Sequence, residues 1–345
     1  MCPVREAPAG RQESRGLRAR ERGGHPEDAL LSRRYRIGID VGGTFTDLVA
    51  VDERGSLSIA KCASTPADPS LGLIDGLALL AADLGTDLPG LLAETESIVH
   101  GTTVATNALL ERKGAKVGLL TTEGHRDVIE MREGLKDDRY NLRMPPPEPL
   151  VPRVRRLGVR ERLRFDGAVA IALDPRSLRA AVEQLAKARV EAVAVCYLHS
   201  YRNPRHEKET GRAVARRLPR AYVSLSSEVL PQIKEYERVW TTVVNAYVGP
   251  ALASYLRNLA TRLSSHGYRG DVLIIQSHGG VAPVRESTRL AAGAVLSGPA
   301  GGVAAGRYCA RLLDEPNLIT FDMGGTSTDI ALLQGGEPQL TGEKT

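Results

Sequence analysis

From position 35 onward the chain alternates short apolar runs with turn residues. Arg36-Ile37-Gly38-Ile39-Asp40 predicts a strand, a glycine turn follows, and Leu48-Val49-Ala50-Val51-Asp52 predicts its return. Beyond the turn at Glu53-Arg54-Gly55, Leu57 to Lys61 predicts a third strand, which completes an antiparallel meander. The period then lengthens. From Pro69, the spacing of Leu71, Ile74, Leu77, Leu79 and Leu80 predicts a helix with one apolar face. Ser97 to Thr103 reads as a strand ending in small polar residues, with a short helix over Asn107 to Arg112 and a strand over Lys116 to Thr121.

Residues 137–152 hold five prolines and predict a stiff loop. Arg155 to Phe165 and Ala168 to Ala172 predict strands around Asp166-Gly167, and Asp174-Pro175 signals the start of a helix running to Ala188. A buried strand over Ala192 to Leu198 and a helix over 204–217 follow. Glu235 to Ser265 predicts a long helix with a break or kink at Pro250. A strand over Asp271 to Gln276, an Ala-rich helix over Val303 to Leu312 and a strand-turn-strand over Leu318 to Leu333 close the pattern. A meander followed by alternating strands and helices implies a mixed sheet with an antiparallel edge and parallel βαβ units.

Length and charge refine this picture. With 345 residues the chain is long enough for two domains, and 42% apolar residues supply ordinary cores. The net charge of +5 is concentrated in an Arg-rich extension over 1–34, read as disordered, which leaves the remainder near neutral. No basic stripe interleaved with aromatics points to nucleic acid, and no apolar run is long enough for a membrane span. Ser32-Arg33-Arg34 precedes a charged segment, which excludes a twin-arginine leader. Cys2, Cys62, Cys196 and Cys309 form no paired motif, so the expected compartment is the reducing cytoplasm.

The chemistry is in an internal repeat. Asp40-Val41-Gly42-Gly43-Thr44-Phe45-Thr46-Asp47 recurs as Asp322-Met323-Gly324-Gly325-Thr326-Ser327-Thr328-Asp329, with both Asp, both Gly and both Thr retained. Adjacent glycines let a backbone approach phosphate and present its N–H groups. Thr44, Thr46, Thr326 and Thr328 offer further donors, and Asp40 and Asp322 are candidates to hold Mg²⁺ directly or through its waters. Two such loops from two lobes would grip a triphosphate from both sides. The competing interpretation, two ordinary hairpin turns, leaves the repeated identities unexplained. Neither a GxxxxGK[ST] loop nor a GxGxxG opening a helix is present.

These loops, together with His100-Gly101-Thr102-Thr103-Val104-Ala105-Thr106-Asn107, Gly124-His125-Arg126-Asp127 and Ser297-Gly298-Pro299-Ala300-Gly301-Gly302, make the chain resemble the hydantoinase/5-oxoprolinase family over about residues 35–345. The likeness is to its ATP-binding A-type subunit, which is similar to the matching acetone carboxylase subunit. The resemblance implies an α/β, actin-like (ribonuclease H-like) two-lobed ATPase fold. It divides the chain into an N-terminal domain over 35–215 and the start of a second over 216–345. It also implies Mg²⁺-ATP, a cyclic amide or ketone substrate, and a B-type partner subunit; self-association is a further expectation. Members are typically much longer, with the adenosine pocket after the second glycine loop, so the chain reads as a fragment with a truncated second lobe.

Several other residues become candidates. Gly298, Gly301 and Gly302 precede a helix and suit an anion. His100 stands at a strand end whose loop would line the cleft near the γ-phosphate or substrate, and it joins Asp40 and Asp322 as a catalytic candidate with the general base unassigned, while Thr102, Thr103, Asn107 and Asp127 are candidates for touching substrate. The function expected is ATP-dependent hydrolysis of a hydantoin- or 5-oxoproline-type amide through phosphoryl activation. The alternatives are ketone carboxylation and a non-catalytic ATP-driven conformational module.

Overall fold

A computed structural model describes residues 34–65, 67–132, 140, 141, 143, 144, 148–323 and 328–338. The Arg-rich extension over 1–33, most of the proline loop, and Gly324, Gly325 and Thr326 lie outside the described residues. The described residues form one compact unit.

In chain order the elements begin with strands β1 (Tyr35–Val41), β2 (Phe45–Val51) and β3 (Leu57–Ala63), then helices α1 (Pro69–Asp83) and α2 (Leu88–Ala93). Next come β4 (Thr95–Thr102), α3 (Val104–Leu110), β5 (Val117–Thr122) and α4 (Val128–Met131). They are followed by β6 (Arg156–Val159), β7 (Arg162–Leu163), β8 (Val169–Ile171), α5 (Pro175–Lys187), β9 (Ala192–Cys196) and α6 (Arg205–Arg217). After β10 (Tyr222–Leu225) and α7 (Ser226–Val229) runs the 31-residue α8 (Glu235–Ser265). The remainder is β11 (Asp271–Ile275), β12 (Val281–Pro283), α9 (Val284–Arg289), α10 (Ser297–Leu313), β13 (Leu318–Met323), β14 (Thr328–Gln334) and β15 (Glu337–Pro338).

The mixed α/β class holds, but two main sheets replace the single one expected. The first has the order β12-β11-β4-β1-β2-β3. Its β1-β2-β3 part is the antiparallel meander, while β4 lies parallel to β1 and β11 parallel to β4. The second, β10-β9-β5-β6, is wholly parallel. Every residue of β5 and β9 is buried, because α8 covers one face and α5 with α6 the other. By contrast β1 alternates: Tyr35, Ile37, Ile39 and Val41 face the core, and Asp40 faces outward.

Local chemistry sets the helix starts. Asp68, Asp87 and Asp174 each accept a first-turn backbone N–H, with proline at the opening positions of α1, α2 and α5. Three expectations need correction. The inward face of α1 carries Leu73, Leu77 and Leu80, whereas Leu71 and Leu79 are exposed. The strand foreseen over Arg155 to Phe165 divides: β6 joins the parallel sheet, and β7 turns away to pair with β8. The long helix runs unbroken through Pro250 and is buried on all sides from Thr242 to Gly249, because it lies between two sheets. No described helix is long and apolar enough to cross a membrane.

At the far end, β13 and β14 expose Ile319, Phe321, Met323, Ile330 and Leu332, an apolar surface with no cover among the described residues.

The α1 correction predicts a contrast. Leu77→Ala is expected to cost about 2–5 kcal/mol and Leu79→Ala less than about 0.5 kcal/mol, measured by urea denaturation. Equal costs would place the core on the wrong face of the helix.

Candidate functional site

Asp40 ends the outward row of β1, and the chain reverses immediately after it. The turn is closed by the Gly42 N–H donating to the Phe45 carbonyl at 3.0 Å. Ser64 braces it from beneath: its hydroxyl donates to the Gly42 carbonyl at 2.9 Å and lies 3.0 Å from the Thr46 hydroxyl, while its N–H donates to the Thr44 carbonyl at 2.8 Å. Strand alternation therefore sends Thr46 inward, fully buried, and withdraws it from the set of phosphate donors. Asp47, one residue on, faces outward opposite Asp40 and receives Lys61 Nζ at 2.7 Å.

The repeat in sequence is also a repeat in structure. Asp322 pairs with Asp329 across β13 and β14 as Asp40 pairs with Asp47, and Met323 pairs with Thr328 as Val41 does with Thr46. Thr328 stands exposed at the start of β14.

The charge of the second hairpin reaches the first. The carboxyl of Asp40 is held above the usual carboxylate range, first by desolvation, then by the charges of Asp47 and Asp322. This places Asp322 within electrostatic reach of Asp40, on the same locus rather than an unrelated surface.

The start of α10 closes over Asp40. A Cβ built on Gly298 would stand 3.9 Å from Asp40 Oδ1, and one on Gly301 3.3 Å from the Ile275 side chain. The helix begins at Ser297 rather than Val303, so these glycines occupy its first two turns, and no side-chain cap closes that end. Ser297, fully buried, fastens it to β4: its hydroxyl donates to the Thr102 carbonyl at 3.0 Å. Leu296, in a left-handed conformation at φ 60°, donates its N–H to Thr106 Oγ1 at 2.8 Å.

Gly101 belongs to the same locus, although it was not singled out in the sequence. A Cβ there would come within 3.0 Å of Asp40 Oδ1. The only sequence signal was a glycine at a strand end between His100 and Thr102.

Gly43 and Gly302 are different. Neither adopts a left-handed conformation, and a Cβ on either would meet no atom of the described residues within 4 Å. The described residues give no steric reason for glycine at these positions. An open cradle of this kind fits a phosphate chain, and the crowded carboxylates fit a divalent cation. Asp40 and Asp322 are the residues suited to hold it. Among the described residues no group of three or more His, Cys, Asp or Glu forms a protein-only metal cage.

Other candidates fall elsewhere. His100 is wholly buried, with Nδ1 3.4 Å from the Ile39 carbonyl and Nε2 2.8 Å from the Tyr255 hydroxyl. Desolvation lowers its pKa to about 4, so it is a neutral bridge between β1 and α8 with no open path to a reacting group. Thr102 is buried too, and Thr103 donates to the Val41 carbonyl at 3.2 Å while receiving Asn107 Nδ2 at 3.3 Å. Asp127 is gripped by Arg153 through two 2.9 Å hydrogen bonds, which together with neighbouring arginines lower its pKa.

Comparison with known proteins was made against this geometry. Residues 36–218 match the family model for the hydantoinase/oxoprolinase N-terminal region, and residues 238–345 match that for hydantoinase/oxoprolinase. Caprolactamase subunit alpha of Pseudomonas jessenii is 42% identical over 90% of this chain and 45% of its own length. The acetone carboxylase beta subunit of Xanthobacter autotrophicus is 33% identical over 87% and 43% respectively. Among solved structures, nucleotide-free acetone carboxylase superposes with a TM-score of 0.82 at 31% identity, covering 89% of this chain and 46% of that one. The ATP-dependent caprolactamase of Pseudomonas jessenii gives 0.78 at 42% identity, covering 86% and 43%. The chain thus spans less than half the length of these relatives.

Two predictions follow from the electrostatics. Because the folded pKa of Asp40 lies above its unfolded value, its ionised form weakens the fold above that folded pKa, and the burden lifts as pH falls through it. Asp40→Asn is therefore expected to melt higher than the parent at pH 7, with the gain shrinking toward pH 4 in calorimetric scans; a lower melting temperature at pH 7 would contradict this. For His100 the folded pKa is depressed, so the stability present above pH 6.5 is lost as pH falls toward 4. His100→Gln is expected to flatten that part of the stability–pH curve, whatever its overall cost.

Proposed function

The chain belongs to the hydantoinase/oxoprolinase family, and from that premise we propose that it binds ATP-Mg²⁺ between its two Gly-Gly-Thr hairpins and couples ATP to the opening of a cyclic amide. The reading rests chiefly on one observation, that the charge of Asp322, the root of the second hairpin, reaches Asp40, the root of the first, and helps to raise its pKa. It extends to an actin-like, two-lobed architecture. The order β3-β2-β1-β4-β11, with β2 alone antiparallel to β1, supports a ribonuclease H-like first lobe. The β13–β14 hairpin would then begin the second lobe, with the division near residue 216.

An amide carbonyl is a weak electrophile, and transfer of a phosphoryl group to its oxygen turns that oxygen into a leaving group. In this chain Gly42, Gly43 and Thr44 would present backbone N–H groups and a hydroxyl to phosphate. The first turns of α10, through Gly298, Gly301 and Gly302, would add the positive end of a helix. Gly324, Gly325, Thr326 and Thr328 would complete the grip from the second hairpin. Asp40 and Asp322 would position Mg²⁺, which supplies neutralisation of phosphoryl charge. Lys61 holds Asp47 and limits the negative charge facing the phosphates.

Relatives named as oxoprolinases and a caprolactamase support an amide substrate, and the 0.82 superposition on acetone carboxylase supports ketone carboxylation as the second reading. Several relatives are named as subunits, which supports a partner of the B type. The exposed apolar surface on β13 and β14 offers such a polypeptide, or a second copy, a place to pack.

Gly43→Ala provides a clean test. A methyl group there meets nothing among the described residues, so stability should stay within about 0.5 kcal/mol of the parent. Affinity for ATP-Mg²⁺, measured by isothermal titration calorimetry, should fall at least about tenfold, or about 1.4 kcal/mol. Absence of ATP binding to the parent, or unchanged affinity in Gly43→Ala, would remove the reading. Phosphate release with 5-oxoproline, hydantoin, caprolactam and acetone then separates the amide branch from the carboxylase branch.

A further inference from the structure

The parallel sheet β10-β9-β5-β6 has its own crossover point. Counted in chain order its strands stand 4-3-1-2, so the connection leaving β5 runs to one side and the connection into β9 returns past it to the other. In open α/β sheets the crevice beyond the carboxyl ends of the two strands at such a reversal is where ligands bind, because the following segments diverge there and leave a gap. The segments diverging here are Gly124-His125-Arg126-Asp127 after β5 and Leu198-His199 after β9.

A cavity of about 510 Å³ occupies that place. His125 and Arg132 line it from the β5 side, Arg162 from beyond β6, His199 from beyond β9, and Lys234 with Glu235 from the start of α8. Three of the four strands of the sheet thus send a carboxyl-end segment to one hollow. The walls are fixed to one another. Leu198 donates its N–H to Thr122 Oγ1 at 3.0 Å, and the Thr122 hydroxyl donates to the buried Glu161, which His206 Nδ1 also meets at 2.7 Å. Arg132, His199 and Lys234 take left-handed backbone angles of 54°, 56° and 84°, a costly arrangement for residues with side chains.

The charges inside are matched to neither a plain anion nor a plain cation. Arg162 lies 2.9 Å from His125 Nε2, to which it donates, and no carboxylate among the described residues pairs with it. Glu235 has no ion-pair partner among the described residues either. Lys234 is already matched by Glu237 at 2.9 Å. Two guanidiniums, Arg132 and Arg162, and one carboxylate, Glu235, stand in this cavity without an ion pair among the described residues, a set that calls for a ligand bringing both an anionic and a cationic group.

We infer that this crossover cavity is a second small-molecule site, separate from the glycine hairpins, which binds a zwitterionic amino acid. Arg162, oriented by His125, takes the carboxylate, and Glu235 takes the ammonium group. The inference stands on the β5–β9 crossover and does not depend on ATP binding at Asp40.

The test is calorimetric titration of the purified chain with 5-aminopentanoate, glutamate, acetate, butylamine and inorganic phosphate. An amino acid is expected to bind at least tenfold more tightly than acetate or butylamine. Arg162→Gln and Glu235→Gln should each weaken that binding at least tenfold, while Gly43→Ala leaves it unchanged. Tightest binding by phosphate, unaffected by Glu235→Gln, would overturn the zwitterion assignment. Absence of binding by every probe at 10 mM, or amino-acid affinity untouched by both variants, would overturn the site itself. Should either variant lose its cooperative melt, modification of the parent with phenylglyoxal decides the matter. Protection of Arg162 by 5-aminopentanoate but not by acetate, read by peptide mass spectrometry, is the expected result, and equal labelling with and without the amino acid refutes it.

Discussion

The fold depends on the complete burial of one helix. From Thr242 to Gly249, α8 has no exposed side, because the first sheet with α1 lies against it on one flank and the parallel sheet on another. A helix in that position must satisfy its polar groups locally, and among its described, fully buried side chains only Arg238 Nε is left without a hydrogen-bond partner. Asn245 donates to Ser224 and to the Arg289 carbonyl and accepts the Ala292 N–H. The Tyr255 hydroxyl donates to His100 Nε2, and Arg238 donates to Ser200 and Ser226. Through these contacts one element fixes both sheets, and so fixes the strand ends from which both candidate sites are built.

The two sites use that frame in different ways. Around Asp40 the frame opposes the chemistry of its own residues, since desolvation and two neighbouring carboxylates make the ionised aspartate costly. Such a cost at a strand end is the signature of a group held ready for a partner of opposite charge. At the β5–β9 crossover the frame leaves a hollow, and the unmatched groups carry opposite signs. On the readings proposed above, one locus takes a cation and polyanion together, the other a molecule carrying both charges.

The sequence by itself determined the local grammar. Asp68-Pro69 and Asp174-Pro175 marked two helix starts, because an acceptor at the cap and a fixed φ at the first position act over a few residues. The Asp40 and Asp322 repeat was legible as two hairpins, and their shared Asp–Asp register follows directly from a turn of fixed length. Tertiary structure decided what burial decides. Thr46 points inward and His100 is sealed beneath Tyr255, facts set by which face of a strand meets the core. The proximity of Gly101 and Gly298 to Asp40, residues distant in the chain, arises only when β4 and α10 pack beside β1. The hollow beyond β5 and β9 was equally invisible, because strand order in a parallel sheet is set by long crossovers whose path no local pattern of side chains records.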